Sequence, residues 1–119
     1  MAAELQDIAV DFQHLDEVTV ATFVVQDISF LKSVDEVHSR FREEIDAHRP
    51  AKLIIDFDRV TYLSTAGIRM LLSVLMQVRG YGGELSLCNL SQFIQTTLDI
   101  AHLTPIFRIF DDRKGAMAN

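Results

Sequence analysis

The sequence predicts a small α/β domain, a mixed β-sheet with an N-terminal hairpin and α-helices packed on it, in the order β-β-α-β-α-β-α-β. Three observations predict it. Two early stretches, "IAVDFQHL" and "VTVATFVV", alternate apolar and polar residues on either side of Asp16-Glu17, as two antiparallel strands joined by a tight turn do. "KLIIDF" is a short apolar run without polar alternation, the mark of a central strand covered on both sides. Three stretches of helical period separate the later strands, and each strand-helix-strand unit requires a right-handed crossover that leaves its strands parallel.

The elements follow in order after the hairpin. Ser33 and Glu36 have the Ser-x-x-Glu spacing of a capping box, and Val34, Val37, Phe41 and Ile45 continue at helical spacing until Pro50. After "KLIIDF" comes "TYLSTAGIRMLLSVLMQV", residues 61–78. From Gly67 on, Ile68, Leu71, Leu72 and Leu75 mark a buried helix face, and Arg69, Ser73 and Gln77 recur every four residues on another. The helix ends at "RGYGGE", where Gly80, Gly82 and Gly83 can take left-handed conformations. The strand "ELSLCNL" follows. Ser91 then caps a third helix with Ile94, Leu98 and Ala101 along one side and Pro105 just past its end; "IFRIF" is the last strand before a polar tail.

At 119 residues the chain has room for one compact domain, read as residues 1–119 with flexible ends at about 1–6 and 113–119. Its 49% hydrophobic content, spread in short runs, argues against disorder. No apolar stretch reaches the ~20 residues of a membrane span, and "MAAELQDIAV" lacks the positive and apolar regions of a signal peptide, so a cytoplasmic location is expected. A net charge of −6 without a Lys/Arg cluster disfavours nucleic acid and anionic membranes, leaving a protein or a cation as the expected partner. Cys88 is the sole cysteine, which excludes an internal disulfide and a thiolate-rich zinc site; its place in "ELSLCNL" reads as a small buried strand residue.

Most candidate chemistry fails on context. "RGYGGEL" has no Gly-Lys-Ser/Thr and runs from helix into strand, so no helix N-terminus faces a would-be phosphate. His14, His38, His48 and His102 are scattered without the i, i+4 spacing of two ligands on one helical face, and no metal site is expected. Ser64 lacks the Gly-x-Ser-x-Gly frame of a hydrolase. With no convergent acid, base and nucleophile, the chain reads as a binding protein with no cofactor, not an enzyme. Asp56 and Asp58 sit at a strand end where a phospho-accepting receiver domain would place a carboxylate. The required second acidic pair, Asp111-Asp112, comes instead after the last strand, and only Lys114 loosely fits the lysine role. Asp56 and Asp58 therefore read as strand-end carboxylates that satisfy nearby amides.

Ser64 and Thr65 remain. Ser-Thr before Ala-Gly at a helix start is a capping signal, because a side-chain oxygen satisfies an amide that the first turn leaves unpaired. The same position suits phosphorylation, since helix N-terminal amides favour an added dianion. The two roles are compatible.

From Leu53 to Asp112 the sequence resembles the STAS domain of anti-sigma factor antagonists, the anti-anti-sigma factors of bacterial partner-switching pathways. The resemblance rests on the strand ending in Asp56, then Val60-x-x-Leu63, Ser64-Thr65-Ala66-Gly67 and a hydrophobic helix, with a second match from Ser91 to Phe110. In that family the motif is often Asp-Ser-Ser-Gly, its second position phosphorylated by an anti-sigma factor that is also a kinase. Aligning the glycine on Gly67 makes Thr65 the implied phosphoacceptor, with Ser64 as second choice. Ser64 then stands for the Asp and Ala66 for the second Ser. The resemblance implies a STAS-like fold and a kinase-binding edge of Ser64, Thr65, Ala66, Gly67, Arg69 and Ser73, with Asp56 and Asp58 in support. It also implies a phosphatase that resets the site. The Gly-x-Leu-Asp turn common after the family's second strand is replaced here by "VVQDISF". A free-standing STAS scaffold or sensor, binding other proteins or a small ligand without a sigma-factor switch, is the alternative.

Overall fold

A computed structural model describes residues 10–28 and 31–119, together with the side chains of those residues except 28 and 31–33. The expected flexible start at 1–6 lies outside them. The elements are β1 (Val10–Leu15), β2 (Val18–Phe23), β3 (Asp27–Ile28), α1 (Leu31–His48), β4 (Lys52–Asp56), β5 (Tyr62–Leu63), α2 (Thr65–Gly80), β6 (Glu84–Cys88), α3 (Gln92–Ile100), a 3-10 turn (Thr104–Ile106), β7 (Arg108–Phe110) and α4 (Arg113–Ala118). Five strands form one mixed sheet in the order β1-β2-β4-β6-β7. The β1–β2 hairpin is antiparallel and turns at Asp16, whose φ of 56° an aspartate tolerates. The β2–β4, β4–β6 and β6–β7 pairs are all parallel, as the crossovers require.

Side-chain alternation divides the core between the two faces of this sheet. Ala21, Phe23, Leu53, Ile55, Leu85 and Leu87 point to the face covered by α1 and α2, where Val34, Val37, Phe41 and Ile45 of α1 are buried as their spacing predicts. Phe41 packs edge-on against Phe12, ring centroids 5.1 Å apart, and at 6.0 Å from Phe23. Each fully buried side chain of this size contributes roughly 1.5–3 kcal/mol. On the opposite face Val20, Ile54, Cys88 and Ala116 form a smaller cluster. Leu53 to Asp56 are all buried, as a central strand demands. Among the described residues, no helix is long and apolar enough to cross a membrane.

Several local expectations need correction. Helix α1 starts at Leu31, so Ser33 lies inside its first turn and not at the cap; the Ser33 side chain lies outside the described residues. In α2 the buried residues are Gly67, Met70, Leu71, Val74, Leu75 and Val78, whereas Ile68 and Leu72 are only partly buried at the edge of the core. The stripe is rotated because apolar residues extend past the buried arc into the polar side of α2, Leu72 half-buried and Met76 exposed among them, so the sheet beneath decides which of them are covered. Arg69 and Ser73 are exposed and Gln77 half-exposed, as expected. In α3, Ile94 and Leu98 are buried, but Ala101 is the exposed C-cap residue.

Of the three loop glycines, only Gly82 has positive φ, 88°. Gly83 serves close packing instead: a Cβ there would fall 2.9 Å from Val78 Cγ1 and 3.0 Å from the Pro50 carbonyl oxygen. The last strand is shorter than "IFRIF", its first residue belonging to the 3-10 turn. Where the sequence reads as a flexible polar end at 113–119, the structure has α4, capped by Asp112, whose Oδ1 accepts from the Gly115 amide at 2.7 Å.

Candidate functional site

The segment between β4 and α2 is held at three levels. At its start the buried Asp56 carboxylate accepts from the Asp58 amide through Oδ1 at 2.9 Å and from Asn89 Nδ2 at 2.9 Å. Its Oδ2 accepts from Arg113 Nη2 at 2.8 Å and Nε at 3.1 Å, while the same guanidinium donates to Thr22 Oγ1 at 2.7 Å. A carboxylate with this many donors is the form in which a charge is tolerated away from water. Asp58 contributes its amide and leaves its side chain exposed.

Farther along, Val60 and Leu63 are buried and pin the segment into the core. Between them the Thr61 and Tyr62 amides both donate to the Gln26 carbonyl, at 2.8 and 3.2 Å, and β5 pairs in parallel with β3, Asp27 opposite Tyr62 and Ile28 opposite Leu63. This second, two-stranded sheet has no clear signal in the sequence, because two-residue strands show no period.

Ser64 ends the segment as the N-cap of α2. Its backbone is extended (φ −81°, ψ 171°), its Oγ accepts from the Gly67 amide at 3.2 Å, and its carbonyl accepts from the Ile68 amide at 3.0 Å. Thr65 is the first helical residue and is exposed. The same cap recurs at Ser91, whose Oγ accepts from the Ile94 amide at 3.2 Å at the start of α3.

Around Thr65 the described residues assemble a surface of mixed character. Ala66, Arg69, Met70 and Ser73 of α2 line one wall of a groove of about 220 Å³, with Val34, Asp35 and His38 of α1 on the other. Burial, aided by the Arg42 charge and opposed by Asp35, lowers the His38 pKa and favours its neutral form. On the other side Tyr62 stacks on Phe93 with centroids 5.8 Å apart at 29°, though both rings are largely exposed.

Ser64, Thr65 and Ala66 thus stand at the start of α2, with Arg69 and Ser73 exposed farther along it as far as its middle, whereas Gly67 is buried; Asp56 and Asp58 stand at the strand end before them. Sequence reasoning missed Asn89 and Arg113, the partners of Asp56, and the Tyr62–Phe93 pair. An arginine in an otherwise unremarked tail carries no local sign that it reaches the central strand. Cys88 is fully buried as expected, and burial, reinforced by the Asp56 charge, pushes its thiol up to about 12.

Comparison with known proteins agrees with this architecture. The model of the STAS domain family matches residues 9–116. A Bordetella bronchiseptica protein named as an anti-sigma factor antagonist, BtrV, is 32% identical over 89 residues, covering 69% of this chain and 77% of that protein. Among solved structures, an anti-sigma factor antagonist (STAS) domain protein from Planctomyces limnophilus superposes with a TM-score of 0.81 at 21% identity, covering 92% of this chain and 94% of the other. The Bacillus cell fate determinant SpoIIAA in its phosphorylated form superposes with a TM-score of 0.73 at 16% identity, covering 92% and 97%. At these identities the structural matches establish a common fold. With the family match spanning nearly all described residues, the chain belongs to the STAS domain family, alongside the anti-sigma factor antagonists.

Proposed function

We propose that the chain is an anti-sigma factor antagonist of a partner-switching pathway, a regulator and not a catalyst. Unmodified, it binds an anti-sigma factor with serine/threonine kinase activity through Ser64, Thr65, Ala66, Arg69 and Ser73, with Gly67 of the same motif buried beneath them. Phosphorylation of Thr65 releases it, and a phosphatase resets the site. The observation that carries this reading is the division of labour at the start of α2: Ser64 is the cap, which leaves Thr65 exposed beside it. The solved SpoIIAA structures, in unphosphorylated and phosphorylated forms, support a phosphorylation switch on this fold.

The physical basis of release is charge. A phosphate on Thr65 adds about −1.5 to −2 charges at pH 7 to a protein already at −6, at a place where helix amides accept a dianion without backbone movement. A partner surface shaped to cover a neutral hydroxyl must then bury an unpaired dianion, at a penalty of ~2–5 kcal/mol, or roughly 30- to several-thousand-fold in affinity.

Calorimetric titration of phosphorylated and unmodified protein into the cognate kinase, with nucleotide held constant, tests the proposal, and peptide mass spectrometry locates the phosphate. Thr65→Ala is expected to bind but escape phosphorylation, with the Ser64 cap intact. Thr65→Glu is expected to keep its fold and lose the partner. Phosphate confined to Ser64 would reassign the acceptor. Equal affinities of the two forms would favour a scaffold or sensor, a reading to which the groove beside Arg69 lends support because it has room for a small ligand.

A further inference from the structure

At the other end of the sheet from Thr65, two of the histidines that the sequence scatters come together. His14 of β1 and His48 at the end of α1 stack with ring centroids 3.6 Å apart at 23°. Both turn Nε2 to the same oxygen, Glu44 Oε2, at 3.2 Å from His14 and 3.4 Å from His48. Glu44 and His48 are one helical turn apart, and β1 brings His14 over them from 30 residues away. The register places His14 opposite Thr19 and Thr19 opposite Leu53, near the amino-terminal end of β4, whereas Thr65 lies beyond its carboxyl end.

The hydrogen bonding of His14 defines what this cluster needs. Its Nδ1 lies 2.8 Å from Thr19 Oγ1, a buried hydroxyl fixed in the sheet. When Nδ1–H donates to that oxygen, Nε2 carries its lone pair on the side that faces Glu44 Oε2, 3.2 Å away. In that tautomer the ring nitrogen and the carboxylate oxygen can both ligate one cation.

We propose that His14 Nε2, His48 Nε2 and Glu44 Oε2 form a binding site for a divalent transition-metal ion of the zinc class. Two neutral imidazoles and one carboxylate are a ligand set that zinc takes, with the fourth position left to water. Zn–N and Zn–O bonds of ~2.0–2.2 Å in a tetrahedron put neighbouring ligand atoms ~3.3–3.5 Å apart, and the held pair of His14 Nε2 and Glu44 Oε2 stands close to that at 3.2 Å. The ligand atoms of all three residues lie within 4.8 Å of one another. Thr19 supplies the outer hydrogen bond that orients a metal-bound histidine and selects its tautomer. Coordination brings the ion into both ring planes, so metal entry turns the half-exposed His48 ring out of its stack while His14 stays held. The ion braces the sheet's edge strand to α1 at a distance from the proposed phosphorylation site.

The test is zinc chloride titrated into chelator-washed, untagged full-length protein at pH 7.5 against a chromogenic zinc indicator, with a thermal melt at each point. The expected result is uptake of one ion per chain with a rise in melting temperature. His14→Ala and His48→Ala should each weaken uptake at least about tenfold, Thr19→Val should weaken it about tenfold through the lost outer hydrogen bond, and His102→Ala should change nothing. Circular dichroism of each variant checks that it is folded. No uptake, uptake that survives His14→Ala or His48→Ala, or an affinity indifferent to Thr19→Val would overturn the proposal.

Discussion

The two faces of the sheet are built on different principles. The face under α1 and α2 is a continuous apolar core in which Phe23, Phe41, Leu53, Ile55, Leu71 and Leu87 are all sealed from water. The face under α4 has an apolar cluster of four buried residues among those described, and there the helix is tied down by polar groups: Arg113 grips buried Asp56, and Lys52 Nζ donates to the Ala116 carbonyl at 3.1 Å. The difference teaches how function and stability are apportioned. The broad apolar face positions α2, and hence Thr65, by shape; the narrow face positions a short helix by charge and lets it reach the carboxylate behind the same segment.

The strongest way to break that comparison is to open the apolar face. Leu71→Ala should lower unfolding free energy by ~2–5 kcal/mol in urea titrations, whereas Leu72→Ala, on a half-buried neighbour, should lose less than half as much. Equal losses would mean that α2 is rotated from the orientation described here.

A smaller effect belongs to the polar latch. Arg113→Ala removes two charge-assisted bonds from a buried carboxylate and one from Thr22, and should cost ~1.5–3 kcal/mol. Amide exchange should rise along both α4 and the segment from Asp58 to Ser64, whose first turn Asp56 anchors. Faster exchange restricted to α4 would show that the latch holds only the helix.

The smallest effect sharpens the view of the α4 face as dry despite its polar fastening. The Cys88 thiol, raised from 9.0 to about 12 by burial, stays neutral in the folded chain. Since its folded pKa lies above its unfolded one, the stability carried by the protonated thiol is complete below about pH 9 and is lost as pH rises towards about 12. Urea midpoints should therefore fall less between pH 8 and pH 10.5 in Cys88→Ala than in the parent chain. Native Cys88 should also resist alkylation at pH 8, and rapid labelling without denaturant would show that water reaches this face.

Legibility in the sequence followed the range of the interactions. The Ser91 cap was readable, and the start of α2 down to the pair Ser64-Thr65, because a cap joins residues three apart; the α1 stripe was readable because its polar positions contrast with its apolar ones. The buried face of α2 was misjudged by a fraction of a turn because apolar residues such as Leu72 and Met76 spill past it into the polar side. The β3–β5 pair went unseen because two residues make no pattern.

By itself, then, the sequence determined the succession of the five strands of the main sheet and the three helices between them, the parallel sense of the later strands, and the place of Thr65 at a capped helix start. All of these follow from local periods, caps and the handedness of crossovers. Only the tertiary structure decided which side of α2 meets the sheet, that Arg113 closes on Asp56 across 57 positions, and that His14 reaches Glu44 across 30. Such meetings are set by which strands become neighbours and in what register, and a chain read one window at a time contains no local energy that distinguishes them.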